Sequence, residues 1–250
     1  MTKIFITGGI SSGKSQFAEN TALSIYNSNI YKPDIISDAG TAGGISGGMS
    51  GGTETDADNF PLLHFIATAN TGIRIKINSN NNYDAEYNAE YDCYNKQNEN
   101  DTDIKADTKD DEMLLKIKKH KEKRNKAFIV HENFCDLTAE IDAVCNSFPD
   151  ERVAERCVIL IDSMTLWLSS FFTDIKYFDF AAEKVSKFSE YLSTVRCSVV
   201  TVSNSIGFNL FSVDAYVRKF VELNGLMEQK LSAVSDKAYC VIAGNPLALK

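Results

Sequence analysis

Ile4-Phe5-Ile6-Thr7-Gly8-Gly9-Ile10-Ser11-Ser12-Gly13-Lys14-Ser15 is the stretch that decides the fold. An apolar run suited to a buried strand enters a glycine-rich turn, and the residues from Lys14 onward read as a helix. Gly8 to Ser15 fits the pattern G-x-x-x-x-G-K-[ST], in the strand, loop and helix context that the pattern requires. Glycines let successive backbone N–H groups turn toward phosphate oxygens. The lysine reaches the β- and γ-phosphates, and the hydroxyl after it can ligate Mg²⁺. Gly8, Gly9, Ile10, Ser11, Ser12, Gly13, Lys14 and Ser15 are therefore the candidate nucleotide-binding loop, with Lys14 also catalytic and Ser15 a metal ligand. A chance glycine-rich turn capping a helix is the plain alternative.

Outward from this loop, short apolar runs recur with helical patterns between them. Strands are expected at Ile4–Thr7, Leu62–Ala67, Ala127–Val130, Val158–Ile161, Val199–Val202 and Tyr239–Ala243. Helices are expected near Lys14–Tyr26, Asp110–Arg124, Asp136–Asn146, Asp179–Val195 and Val213–Ser232. This alternation implies crossover units, so the class is α/β, with a mostly parallel sheet covered on both faces. Residues 40–52 hold seven glycines, and residues 71–109 are rich in Asn, Asp, Glu and Tyr. Neither stretch has enough apolar surface to offset ordering. They predict flexible insertions at about 31–60 and 71–109 within one domain over 1–250, with a lid as the functional alternative.

The net charge of -8 and pI near 5.0 disfavour a surface that grips nucleic acid or anionic membrane. The N-terminus lacks a signal-peptide pattern and no run of 18 apolar residues occurs, so a soluble, cytoplasmic protein without membrane insertion is expected. Cys93, Cys135, Cys145, Cys157, Cys197 and Cys240 are scattered, and read as reduced, mostly buried thiols.

A phosphate loop needs a metal-holding carboxylate at the end of a nearby strand, and Val158-Ile159-Leu160-Ile161 is followed by Asp162. An Asp after a strand is also a common helix N-cap, so both readings stand. Between Lys116 and Lys126 seven of eleven residues are basic, with His120 in their midst. Helical spacing puts Lys116, His120 and Arg124 on one face, which would attract a triphosphate. Nearby cations keep more of an imidazole neutral, making nucleophilic catalysis by His120 plausible. A solvated helix carrying an exposed histidine is the alternative. His64 and His131, beside apolar strands, read as structural or incidental.

With these pieces in order, the chain resembles the adenosylcobinamide kinase/adenosylcobinamide-phosphate guanylyltransferase family. The resemblance rests on the phosphate loop with Phe17-Ala18-Glu19, Phe65-Ile66-Ala67-Thr68-Ala69, Asp111-Glu112-Met113 with Ile117 and His120, and Glu132. It continues through Asp162 with Thr165-Leu166-Trp167-Leu168, Val202-Ser203-Asn204, Arg218, Gly225, Gln229 and Ala243-Gly244-Asn245-Pro246-Leu247. It implies a RecA-like P-loop fold, commonly trimeric. The implied enzyme phosphorylates adenosylcobinamide with ATP or GTP and then transfers GMP from GTP through a guanylyl-histidine, placed here at His120. It further implies a guanine nucleotide site at Ala67, Thr68, Ala69, Lys121, Glu122, Lys123, Arg124 and Glu132, while the phosphate-loop reading above puts Mg²⁺ at Ser15 and Asp162. Without the resemblance, Glu132 could be a surface acid and Thr68 a strand-end cap.

The chain departs from the family at Ser11, where Arg is usual, and at Ser205, where a carboxylate closes the Ser-Asn-Glu triplet. It departs again at Phe208-Asn209-Leu210-Phe211 and at Val221-Glu222. These changes keep two alternatives in view: a P-loop kinase acting on another small molecule, and a nucleotide-binding regulatory protein without guanylyl transfer.

Overall fold

The computed structural model describes residues 1–30, 62–68, 122, 124–132, 134, 136–207 and 212–250. Both expected insertions lie outside this set, as does the helix expected over Asp110–Arg124 apart from Glu122 and Arg124, and Arg124 stands in a bend.

β1 (Lys3–Gly8) enters the loop that opens α1 (Lys14–Ile30). β2 (Leu63–Ala67) and β3 (Ile129–His131) follow, then α2 (Leu137–Asn146), α3 (Glu151–Arg156), β4 (Val158–Asp162) and α4 (Met164–Phe171). A 3₁₀ turn (Ile175–Tyr177) leads into α5 (Phe178–Thr194), β5 (Ser198–Val202), α6 (Ala215–Val234), β6 (Lys237–Ile242) and β7 (Asn245–Ala248). The seven strands run in the order β3-β2-β4-β5-β1-β6-β7. All pairs are parallel except β6 with β7. This is the expected α/β sheet, and β5 lies between the loop-bearing β1 and the Asp162-bearing β4, as in RecA-like P-loop folds.

Strand periodicity divides the core in two. Ile4, Ile6, Phe65, Leu160 and Val200 face α1 through Ala18 and Ala22. Phe5, Ile66, Ile159, Ile161 and Val199 face the other helices through Ile141, Leu168, Val185 and Met227. Helix starts follow local chemistry: the carboxylates of Asp136, Asp150 and Asp214 accept from the amides of Ala139, Val153 and Val217 at 2.9, 2.9 and 3.0 Å. The β6–β7 hairpin turns on Ala243 and Gly244, both at positive φ (49° and 82°), as a two-residue turn of this hand demands.

His64 and His131 form a structural chain. His64 Nδ1 lies 2.9 Å from His131 Nε2, and His131 Nδ1 lies 2.6 Å from Glu140 Oε1, joining β2, β3 and α2. Cys145, Cys157, Cys197 and Cys240 are free and buried, as expected for reduced thiols. Among the described residues, no helix is long and apolar enough to cross a membrane.

Candidate active site

The C-terminal ends of β1, β4 and β5 meet at the glycine-rich loop, the crevice where open α/β sheets bind ligands. The loop closes on itself through Ser12 N–H to Gly9 O (3.2 Å) and joins α1 through Phe17 N–H to Gly13 O (3.1 Å). Ser11 and Gly13 sit at φ 59° and 93°. Gly13 also packs closely, since a Cβ there would stand 3.3 Å from the Gly244 Cα. The hairpin turn bonds back, Gly244 N–H to Ser12 O at 2.9 Å, so β6 and β7 buttress the loop.

Gly8 is the tightest position. A Cβ there would lie 2.5 Å from Val241 O and 2.8 Å from Ser12 Oγ. Gly8→Ala must therefore displace the loop from β6, and is expected to destabilise the protein by about 1–3 kcal/mol. Thermal melts read the stability loss, and titration with a fluorescent nucleotide should show weaker binding.

Lys14 is 7% exposed, and its Nζ donates to Gly9 O at 3.1 Å. Burial pulls its pKa below the ordinary lysine value, while the carboxylates of Asp162 and Glu228 partly counter that. The ammonium thus lies over its own loop within the field of two acids. Asp162 ends β4, and Ser163, not Asp162, stands at the N-cap of α4. The capping alternative for Asp162 is thereby removed. Thr68 braces this junction: its hydroxyl donates to Ser163 O at 2.6 Å and accepts from Ser163 N–H at 2.8 Å.

Behind the loop, Ser205 N–H donates to Gly8 O (3.0 Å), and Thr165 Oγ1 accepts from Asn204 N–H (2.8 Å). Asn224 Nδ2 donates to Asn204 O (3.0 Å), and Thr7 Oγ1 donates to Glu228 Oε1 (2.7 Å). Glu228 was not singled out in the sequence. A lone acid on an amphipathic helix reads as a solvated residue, and only folding shows that it faces Thr7. Ser12 Oγ, Ser163 Oγ and Asn224 Oδ1 are buried without a hydrogen-bond partner among the described residues.

The other candidates fall elsewhere. Arg124 Nη1 lies 3.4 Å from Glu132 Oε1, and the guanidinium stacks over Phe65 at 3.9 Å from its ring centroid. With Asn125, Lys126, Phe128 and Val130 they line an open hollow of about 510 Å³ beside β3. β3 is four strands from β1, roughly 19 Å at the usual strand spacing. Thus the structure gathers Gly8 to Ser15 with Asp162, places Ala67 and Thr68 at the end of β2 beside β4, and sets Arg124 and Glu132 apart. Glu122 is exposed; Ala69, His120, Lys121 and Lys123 lie outside the described residues.

The sheet order, glycine-rich loop, buried lysine and strand-end acid define a P-loop nucleotide-binding protein. Residues 101–249 match the family model described as cobinamide kinase / cobinamide phosphate guanyltransferase. That match excludes the phosphate loop, which therefore points to nucleotide independently. The curated relatives include the bifunctional adenosylcobalamin biosynthesis protein CobU of Salmonella typhimurium, 26% identical over 147 residues that cover 56% of this chain and 80% of the relative. The protein of the same name from Escherichia coli is similar to the same extent. The chain belongs to the cobinamide kinase / cobinamide phosphate guanyltransferase family, and is an enzyme of that kind.

Proposed function

We propose that this enzyme phosphorylates adenosylcobinamide and then transfers GMP from GTP to the product through a guanylyl-histidine at His120, yielding adenosylcobinamide-GDP. The observation that carries this reading is the phosphate loop folded against Asp162 in a chain of this family.

In the first reaction the loop amides and Lys14 hold the triphosphate of ATP or GTP. Lys14 meets the negative charge that gathers on the β-phosphate as the γ-phosphoryl group leaves. A serine hydroxyl and a carboxylate are the hard oxygen donors that Mg²⁺ selects. Ser15 and Asp162 would hold it, and the ion would neutralise phosphate charge. In the second reaction a neutral imidazole nitrogen of His120 attacks the α-phosphorus of GTP. The bond to the bridging oxygen breaks, and pyrophosphate departs. A phosphate oxygen of phosphorylated adenosylcobinamide then takes GMP from the histidine. Arg124 and Glu132 suit the nucleotide's nucleoside end: the carboxylate can accept from a guanine edge or a ribose hydroxyl, and the guanidinium supplies positive charge.

Asp162→Asn should keep the fold, since Asp162 caps no helix, yet weaken the metal site. The Mg²⁺ concentration for half-maximal phosphorylation is expected to rise by about tenfold or more. An unchanged Mg²⁺ titration would remove Asp162 from the metal site. The proposed activity is tested by incubating the protein with adenosylcobinamide and γ-labelled ATP or GTP, where label should appear in the corrinoid. Ser205 in place of a carboxylate favours one second reading, a kinase for a different small alcohol, which would label that alcohol and leave adenosylcobinamide untouched.

A further inference from the structure

Glu228 sits on the face of α6 turned toward the end of β1, beneath the phosphate loop. Thr7 Oγ1 donates to its Oε1 at 2.7 Å, and the polar side chains of Ser203, Ser205 and Asn224 lie close enough to favour its ionised form. Ser205 is tied to the loop through Gly8 O at 3.0 Å, and Asn224, only 1% exposed, is tied to Asn204 O. Three elements, β1, the segment after β5, and α6, thus converge on one carboxylate. Glu228 itself is only partly covered, so one side stays open.

No salt bridge engages Glu228 among the described residues; its shell is three hydroxyls and an amide, and Lys14 acts on it electrostatically. Hydroxyl rotors donate to a carboxylate and can turn to accept from a carboxylic acid. The shell therefore tolerates both protonation states without rearrangement, as a group that gains and loses a proton requires. Burial raises the Glu228 pKa above the usual carboxylate value, with the polar groups of Thr7, Ser203, Asn224 and Ser205 partly offsetting it. The shift moves the group toward the pH at which it would work. Ser205, which also ties the segment after β5 to the loop, is one of the polar groups beside this glutamate.

We propose that Glu228 is the proton acceptor of the phosphoryl-transfer step, taking the proton from the acceptor hydroxyl as that oxygen attacks the γ-phosphorus. This rests on the kinase reading above. The hydroxyl oxygen forms its bond to the γ-phosphorus while the bond to the β–γ bridging oxygen breaks. The proton passes to the Glu228 carboxylate, and the nucleoside diphosphate leaves with the bond's electron pair, facing Lys14. The carboxylic acid then returns its proton to water on its open side. Among the described residues, the titratable groups around Glu228 are Lys14 of α1 and Cys240 of β6, with Asp162 of β4 also acting on Lys14.

The test compares wild type with Glu228→Gln and Glu228→Asp, measuring phosphorylation against pH, nucleotide affinity and thermal melting. A raised carboxylate pKa favours the folded state below the ordinary carboxylate range, and that contribution is lost as pH rises through the folded value. At neutral pH the glutamine variant should therefore melt no lower than wild type. Its phosphorylation rate should fall by about 100-fold or more, with nucleotide affinity retained. The acidic limb of the pH–rate profile should vanish in Glu228→Gln and persist in Glu228→Asp. Near wild-type turnover in the glutamine variant, a retained acidic limb, or parallel loss of turnover, affinity and melting temperature would overturn the proposal. If wild type releases phosphate from ATP but leaves adenosylcobinamide unlabelled, the substrate reading fails, and the same comparison is made on the water reaction. If wild type does neither, both fail.

Discussion

Lys14→Ala is expected to remove both transfer reactions. The Lys14 ammonium is the positive charge buried in the loop itself, since position 11 is a serine; burial lowers its pKa, and Asp162 and Glu228 partly counter that. Truncation leaves the triphosphate to the loop amides alone. Loss of one preorganised charge-stabilising donor typically costs about 100- to 1,000-fold in rate, and phosphorylation should fall by at least that much. Guanylyl transfer should fall with it, because both reactions need the triphosphate seated. The fold should survive: among the described residues the Lys14 Nζ hydrogen-bonds only Gly9 O, and the backbone bonds of the loop do not depend on it. Steady-state kinetics of both reactions, with a melt as control, check this. Normal kinetics in the variant would mean that nucleotide binds elsewhere.

His120→Ala separates the two reactions. It should abolish the protein-bound GMP adduct altogether, since no other group is assigned to attack the α-phosphorus. Phosphorylation of adenosylcobinamide should largely remain, because the loop, Lys14, Asp162 and Glu228 are untouched. The pattern is opposite to that of Glu228→Gln, which should slow phosphorylation and spare the adduct. Together the two variants assign each reaction to its own group.

Much of this was legible in the sequence, for physical reasons. The phosphate loop is readable because its chemistry fixes both composition and context, and Gly8 to Ser15 stand between β1 and α1 as the pattern requires. The strands are readable because buried parallel strands are short continuous apolar runs, and Asp136 marked its helix as a cap does. The six-residue α3 and the apolar α4 were missed, since one is too short to show a period and the other is buried nearly all round. β7 was missed because its strand begins Asn245-Pro246, which reads as a turn. Lys3 is almost wholly buried, with its ammonium bonded to Val195 O and Cys197 O, and no local pattern announces that. Glu228 was hidden in the same way: the hydroxyl that bonds it, Thr7, lies on β1, 221 residues away in sequence. The separation of Arg124 and Glu132 from the loop was invisible too, because strand order, not sequence order, sets that distance.

The most direct test of the central claim is to incubate the purified protein with Mg²⁺ and α-labelled GTP, map any adduct by mass, and then add adenosylcobinamide phosphate. The account predicts GMP on His120 and its discharge to the corrinoid. Bound nucleotide with no adduct, or an adduct on another residue, would contradict it.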